Sequence, residues 1–148
     1  MGMLLSVYLS KSERAAGLFM SEKDEKTILV VDDEADLREC LAEEFVSLGY
    51  KVLEAENAVV ALDIVAQNTV HLILSDIRMP GGDGISLLRG LNELKSKGDR
   101  PLVYLMTGFS DVSDDEAKAL GAASVFRKPS DIDAIIEAIN QYLTEHAS

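Results

Sequence analysis

The sequence predicts a doubly wound α/β domain, a five-stranded parallel sheet with helices on both faces. Three observations carry this. Short, almost continuously apolar runs rich in β-branched residues recur along the chain, as strands buried on both faces do. Stretches with apolar residues at helical spacing lie between them. The connections are short, and right-handed crossovers then leave five βα units in a parallel sheet.

The elements follow in order from Thr27. Ile28 to Val31 is a short strand that ends at Asp32-Asp33. Residues 35–48 carry Leu37, Leu41, Phe45 and Leu48 at helical spacing, and Gly49 stops that helix. Lys51 to Ala55 is the second strand. Asn57 caps a helix running to about Gln67. His71 to Ser75 is the third strand, and a loop with Pro80, Gly81, Gly82 and Gly84 follows. Ile85, Leu87, Leu88, Leu91 and Leu94 mark the third helix. Leu102 to Met106 is the fourth strand, Val112 to Leu120 the fourth helix and Ala123 to Arg127 the fifth strand. Ser130 with Asp133 opens the last helix in capping-box fashion, and Ile132, Ile135, Ile136, Ile139 and Leu143 line its inner face.

Composition narrows the function classes. The 148 residues are 47% hydrophobic, which is globular, and they carry 14 basic against 26 acidic side chains, a net charge of −12. Such a field argues against binding nucleic acid or an anionic membrane. One cysteine excludes a disulfide framework, and two histidines with it make a zinc site of the usual ligands improbable. No apolar run approaches the ~20 residues of a membrane span. Residues 1–26 form an N-terminal extension, mobile or loosely helical, and 27–148 the domain. The extension holds four basic and four acidic residues, so the whole surplus belongs to the domain. Its apolar stretch Met3 to Leu9 lacks a basic leader and a small-residue cleavage site, which argues against a secretory signal and for a cytoplasmic protein. It reads as an added segment, an overlong start with Met20 as a second one, or a partner-binding arm.

Ligands of such folds bind beyond the carboxyl ends of the strands, so the residues there matter. The first strand ends at Asp32-Asp33, the third at Asp76, the fourth at Thr107 and the fifth at Lys128. Any one polar residue merely terminates a strand. The set brings complementary chemistry. Three crowded carboxylates repel one another unless a cation screens them or protons are taken up, and a hard divalent ion such as Mg²⁺ suits all-oxygen ligands. Lys128 offers positive charge to a phosphate and Thr107 a hydroxyl donor. A carboxylate can itself be the nucleophile, forming an aspartyl-phosphate.

At this point the residues carry a family resemblance. Val30-Val31-Asp32-Asp33-Glu34, the run Ser75 to Gly84, Met106-Thr107-Gly108 and Lys128-Pro129 resemble the signature of the receiver domain of two-component response regulators. The likeness covers residues 27 to about 145 in the family's order and spacing. It implies a flavodoxin-like sheet of order 2-1-3-4-5. It also implies that Asp76 is the phosphoacceptor, and that Asp33, Asp76 and the backbone carbonyl of Arg78 bind Mg²⁺, for which Mn²⁺ substitutes. Asp32 acts through water, and Thr107 and Lys128 contact the phosphoryl group. Arg78 and Phe109 occupy positions that modulate access of the hydrolytic water. In the family an aromatic switch residue usually stands three positions before the lysine. Here that position is Val125, and Phe126 falls on the opposite face by strand alternation.

The function implied is a switch that takes a phosphoryl group from a sensor histidine kinase or phosphotransfer protein. It then alters binding of a downstream protein through the fourth helix, fifth strand and fifth helix. The chain stops within a few residues of the fifth helix, which resembles single-domain regulators such as the chemotaxis response regulator. A phosphorelay intermediate or phosphate sink is the alternative. A phosphohydrolase of the haloacid dehalogenase type would carry a carboxylate two residues after the nucleophile, where Arg78 stands. A pseudo-receiver would not keep the full set. Other residues invite blander readings. His71 lies roughly 16 Å from Asp76 at ~3.3 Å per strand residue, too far to share its chemistry. His146 stands near the end of the chain. Cys40, beside Leu37 and Leu41, reads as a small buried hydrophobe.

Overall fold

The computed structural model describes residues 26–79, 83–94, 100–107, 114–127 and 132–145. Five strands, β1 (Thr27–Val31), β2 (Lys51–Ala55), β3 (Leu72–Asp76), β4 (Leu102–Thr107) and β5 (Ala122–Arg127), form one sheet. Its order is β2-β1-β3-β4-β5 and every pairing is parallel. The helices are α1 (Ala35–Ser47), α2 (Ala58–Gln67), α3 (Gly84–Leu94), α4 (Asp114–Ala119) and α5 (Ile132–Glu145). The predicted fold class and strand order are therefore those observed. Of the 1–26 extension only Lys26 is among the described residues, and His146, the Pro80–Gly82 stretch and the Ser130 cap lie outside them.

β1 and β3 are buried along their whole length, which is why their sequences are apolar on both alternating sides. Residues Leu29, Val31, Ile73, Val103 and Leu105 pack on one face against Ala61 and Val65 of α2, Leu87, Leu88 and Leu91 of α3 and Ala117 of α4. Ile28, Val30, Leu72, Leu74, Tyr104 and Met106 pack on the other against Leu41 and Phe45 of α1 and Ile135, Ile136, Ile139 and Leu143 of α5. In β5 the register advances by one extra residue: Val103 pairs with Ala122 but Tyr104 with Ser124. After that bulge Val125 stands opposite Leu105 and Phe126 opposite Met106, so the two fall on different faces.

Local chemistry sets the ends of the elements. The Asn57 side chain accepts from the Val60 N–H at 2.9 Å, the expected cap of α2. Asp83 caps α3, accepting from the Ser86 N–H at 2.8 Å. Gly49 ends the α1 turn with φ of 101°, a region that favours glycine. Two expectations for α1 are corrected. Cys40 and Leu48 are exposed, because the helix turns Leu41, Ala42 and Phe45 toward the sheet, which puts Cys40 off the buried stripe and leaves Leu48 just past the last turn.

His71 has a structural task at the opposite end of the sheet from Asp76. Its Nδ1 accepts from the Thr27 backbone N–H at 3.0 Å, while the His71 backbone N–H donates to the Thr27 carbonyl at 2.9 Å. Burial first, and nearby Lys26 second, hold its pKa below the usual histidine value, which keeps Nδ1 available as an acceptor. It takes no part in the acidic cluster described next.

Candidate phosphoryl and cation site

The chain leaves β1 toward β2 on one side and reaches β3 on the other, so the gap beyond the carboxyl ends of β1 and β3 is the switch point of the sheet. Asp32 and Asp33 follow β1 there, and Asp76 is the last residue of β3. Each of the three offers a carboxylate oxygen, and these atoms lie within 4.8 Å of one another. Asp32 is fully buried and Asp76 6% exposed, whereas Asp33 faces solvent. Three oxygens so close, two of them removed from bulk water, suit a small hard cation.

The surroundings hold this arrangement in place. Oδ1 of Asp32 accepts from the Glu34 N–H at 2.9 Å, and the Asp32 N–H donates to the Ala55 carbonyl at 3.1 Å. Arg38 ties the same turn to the sheet edge. Its Nη1 donates to the Asp32 carbonyl at 2.8 Å and its Nε to Glu54 at 3.0 Å. Ile77, just after Asp76, donates its N–H to Met106 at 2.9 Å and accepts at its carbonyl from Gly84 at 2.8 Å.

Thr107 ends β4 beside β3 and is 6% exposed, and Arg78 is exposed two residues beyond Asp76. Val125 is half-buried against the face that carries α2, α3 and α4. Phe126 is on the other face, where its ring stacks on Tyr104 with centroids 5.8 Å apart and planes 19° apart. Phe126 therefore does not stand in for an aromatic at Val125. Lys128 and Phe109, both expected at this edge, lie outside the described residues.

Two contributors escaped the reading from sequence. Arg38 is noticeable there only as a lone base among acids, since its partner Glu54 is on another element. Ser75 reads as part of a strand end. It is in fact fully buried, with its hydroxyl donating to the Asp76 carbonyl at 2.9 Å.

Known proteins resemble this chain in sequence and fold. The family model "Response regulator receiver domain" matches residues 28–140. The chain is 39% identical over 125 residues to sporulation initiation phosphotransferase F of Bacillus subtilis, covering 84% of this chain and 95% of that one. A response regulator receiver domain protein (CheY-like) from Methanospirillum hungatei superposes with a TM-score of 0.73 at 25% identity, over 82% of this chain and 95% of the other. The response regulator TrrA of Thermotoga maritima, solved in complex with Mg²⁺-BeF, gives a TM-score of 0.68 at 31% identity, over 78% and 97% of the two chains. Fold, strand-end chemistry and sequence thus agree, and the chain belongs to the response regulator receiver domain family.

Proposed function

We propose that Asp76 accepts a phosphoryl group from a phosphohistidine in a Mg²⁺-dependent reaction, and that the change alters which proteins the chain binds. The observation that supports this most directly is the convergence of the Asp32, Asp33 and Asp76 carboxylates within 4.8 Å at the switch point. Asp33, Asp76 and the backbone carbonyl of Arg78 are the ligands in this reading, with Asp32 acting through water and Mn²⁺ able to replace Mg²⁺. The bound cation offsets carboxylate repulsion and the charge on the phosphoryl oxygens.

An Asp76 carboxylate oxygen attacks phosphorus as the P–N bond to the donor imidazole breaks. The bonding pair returns to that nitrogen, which takes a proton. Thr107 donates its hydroxyl to a phosphoryl oxygen, and Lys128, next after β5, supplies positive charge. Arg78 and Phe109 modulate access of water to the acyl phosphate. The only reactions catalysed are the chain's own phosphorylation and slow dephosphorylation. Residues 1–26 stand outside the receiver domain of 27–148, in this reading.

The donor is a sensor histidine kinase or a phosphotransfer protein, and the downstream protein meets the face made by α4, β5 and α5. A role as phosphorelay intermediate is a second reading, favoured by the likeness to a phosphotransferase along nearly its whole length. No helix among the described residues is long and apolar enough to cross a membrane, which fits a cytoplasmic place for the exchange.

Incubation with Mg²⁺ and acetyl phosphate, followed by intact mass, should show one added phosphoryl group on the native chain and none on Asp76→Asn. Mg²⁺ should also raise the melting temperature by linkage, and Asp33→Ala should erase that rise. No adduct, or one that survives Asp76→Asn, would overturn the assignment.

A further inference from the structure

We propose that Ser75 and Gly84 are positioning residues for the phosphoacceptor, together fixing the peptide that carries Asp76. This rests on the reading of Asp76 just given. Ser75 is fully buried in the middle of the sheet, paired in register with Val31 on one side and Leu105 on the other. Both neighbours belong to the apolar cluster under α2 and α3. A hydroxyl buried in such surroundings is unfavourable unless hydrogen-bonded, and a plain hydrocarbon side chain would suit this place without that cost. The Ser75 hydroxyl donates to the Asp76 backbone carbonyl at 2.9 Å.

Gly84 bears on the same oxygen. A Cβ there would stand 2.9 Å from the Asp76 carbonyl oxygen, 3.1 Å from Ile77 Cα and 3.1 Å from Leu105 Cδ2. Two of those neighbours are backbone, which has little room to give. The absence of a side chain lets the first turn of α3 close onto β3, and the Gly84 N–H then donates to the Ile77 carbonyl at 2.8 Å. The Asp76–Ile77 peptide is held by the Ser75 hydroxyl and by β4 through Met106, and the next peptide is held at the Ile77 carbonyl by α3 through Gly84. Aspartate has a short side chain, so its carboxylate goes where this peptide goes. In-line attack on phosphorus depends on that placement.

The test compares Ser75→Val with Ser75→Thr in the full chain, two side chains of the same shape that differ in the hydroxyl. Each is incubated with acetyl phosphate at saturating Mg²⁺, and the rate of adduct formation per folded molecule is read by intact mass, with melting temperature recorded alongside. Ser75→Thr should keep the native rate within about twofold, while Ser75→Val and Ser75→Ala should lose about five- to tenfold. Gly84→Ala should lose at least as much as Ser75→Val. Equal rates for Ser75→Val and Ser75→Thr, whether native or reduced, would overturn the placement role and leave Asp76 as the acceptor. No adduct on the native chain would overturn the assignment of Asp76 and this proposal with it.

Discussion

The two faces of the sheet are built from different side chains. The face under α1 and α5 carries Phe45, Tyr50, Tyr104, Phe126 and Tyr142, which are all the aromatic residues among those described. Phe45 meets Tyr50 edge to face at 6.3 Å, and Tyr104 stacks on Phe126. The face under α2, α3 and α4 is filled by leucine, isoleucine and valine with Met79 and the small Ala55, Ala58, Ala61, Ala117 and Ala122. Small residues let helices come close, as where Gly84 meets the backbone of β3 and Gly90 meets Leu62. The face packed closest to the peptide of Asp76 is thus the one without large rings. Val125, at the position where receivers usually keep an aromatic switch, belongs to it. The difference teaches that the large rings are kept away from the peptide of Asp76, onto which the aliphatic face closes through Gly84.

That contrast can be broken most sharply at Phe45. Phe45→Ala removes a fully buried ring and should cost about 3–5 kcal/mol of unfolding free energy, measured by urea denaturation. The rate of Asp76 modification per folded molecule should stay near native. A loss of rate without a loss of stability would show that the face with the large rings bears on the peptide of Asp76 as well.

A smaller effect should come from the stacked pair. Phe126→Leu should cost about 1 kcal/mol through the lost ring contact with Tyr104. In NMR spectra of the native chain with and without beryllofluoride, amide shifts should appear at Thr107 and Val125, while the Tyr104 and Phe126 ring signals stay in place. Ring signals moving as far as those amides would make the stack part of the switch.

The smallest effect is one of pH. Burial raises the Tyr50 phenol above its usual pKa of 10.0, opposed by a hydrogen bond with Thr144, and burial together with the nearby Tyr142 raises that of Tyr104. The folded chain therefore resists losing these protons more than the unfolded chain does. Their contribution to stability is complete below pH 10 and is lost as pH rises through the folded values. Melting temperatures followed upward from pH 9 should fall, and less steeply for Tyr104→Phe. An unchanged slope in that variant would remove Tyr104 from the alkaline response.

The fold was legible because the central strands β1, β3 and β4, buried on both sides, appear as apolar runs, while the edge strands β2 and β5 carry polar residues as well. Asp32, Asp33, Asp76 and Thr107 were legible for the same reason, as the polar residues that stop those runs. Ser75 was not, since a serine before an aspartate looks like part of the stop. Arg38 was not, since it stands on α1 and its partner Glu54 on β2. Cys40 and Leu48 were misjudged because helical spacing shows that a buried stripe exists but not which rotation the sheet selects.

By itself the sequence determined the alternation of strands and helices, and through it the edge at which the carboxylates gather. Both depend on local patterning and on the few ways a parallel sheet can be wound. Only the tertiary structure decided which carboxylates are buried, how the Asp76 peptide is held, and which face of the sheet each of Val125 and Phe126 joins. These depend on a bulge, a helix rotation and contacts between residues far apart in the chain, and no local pattern encodes such distances.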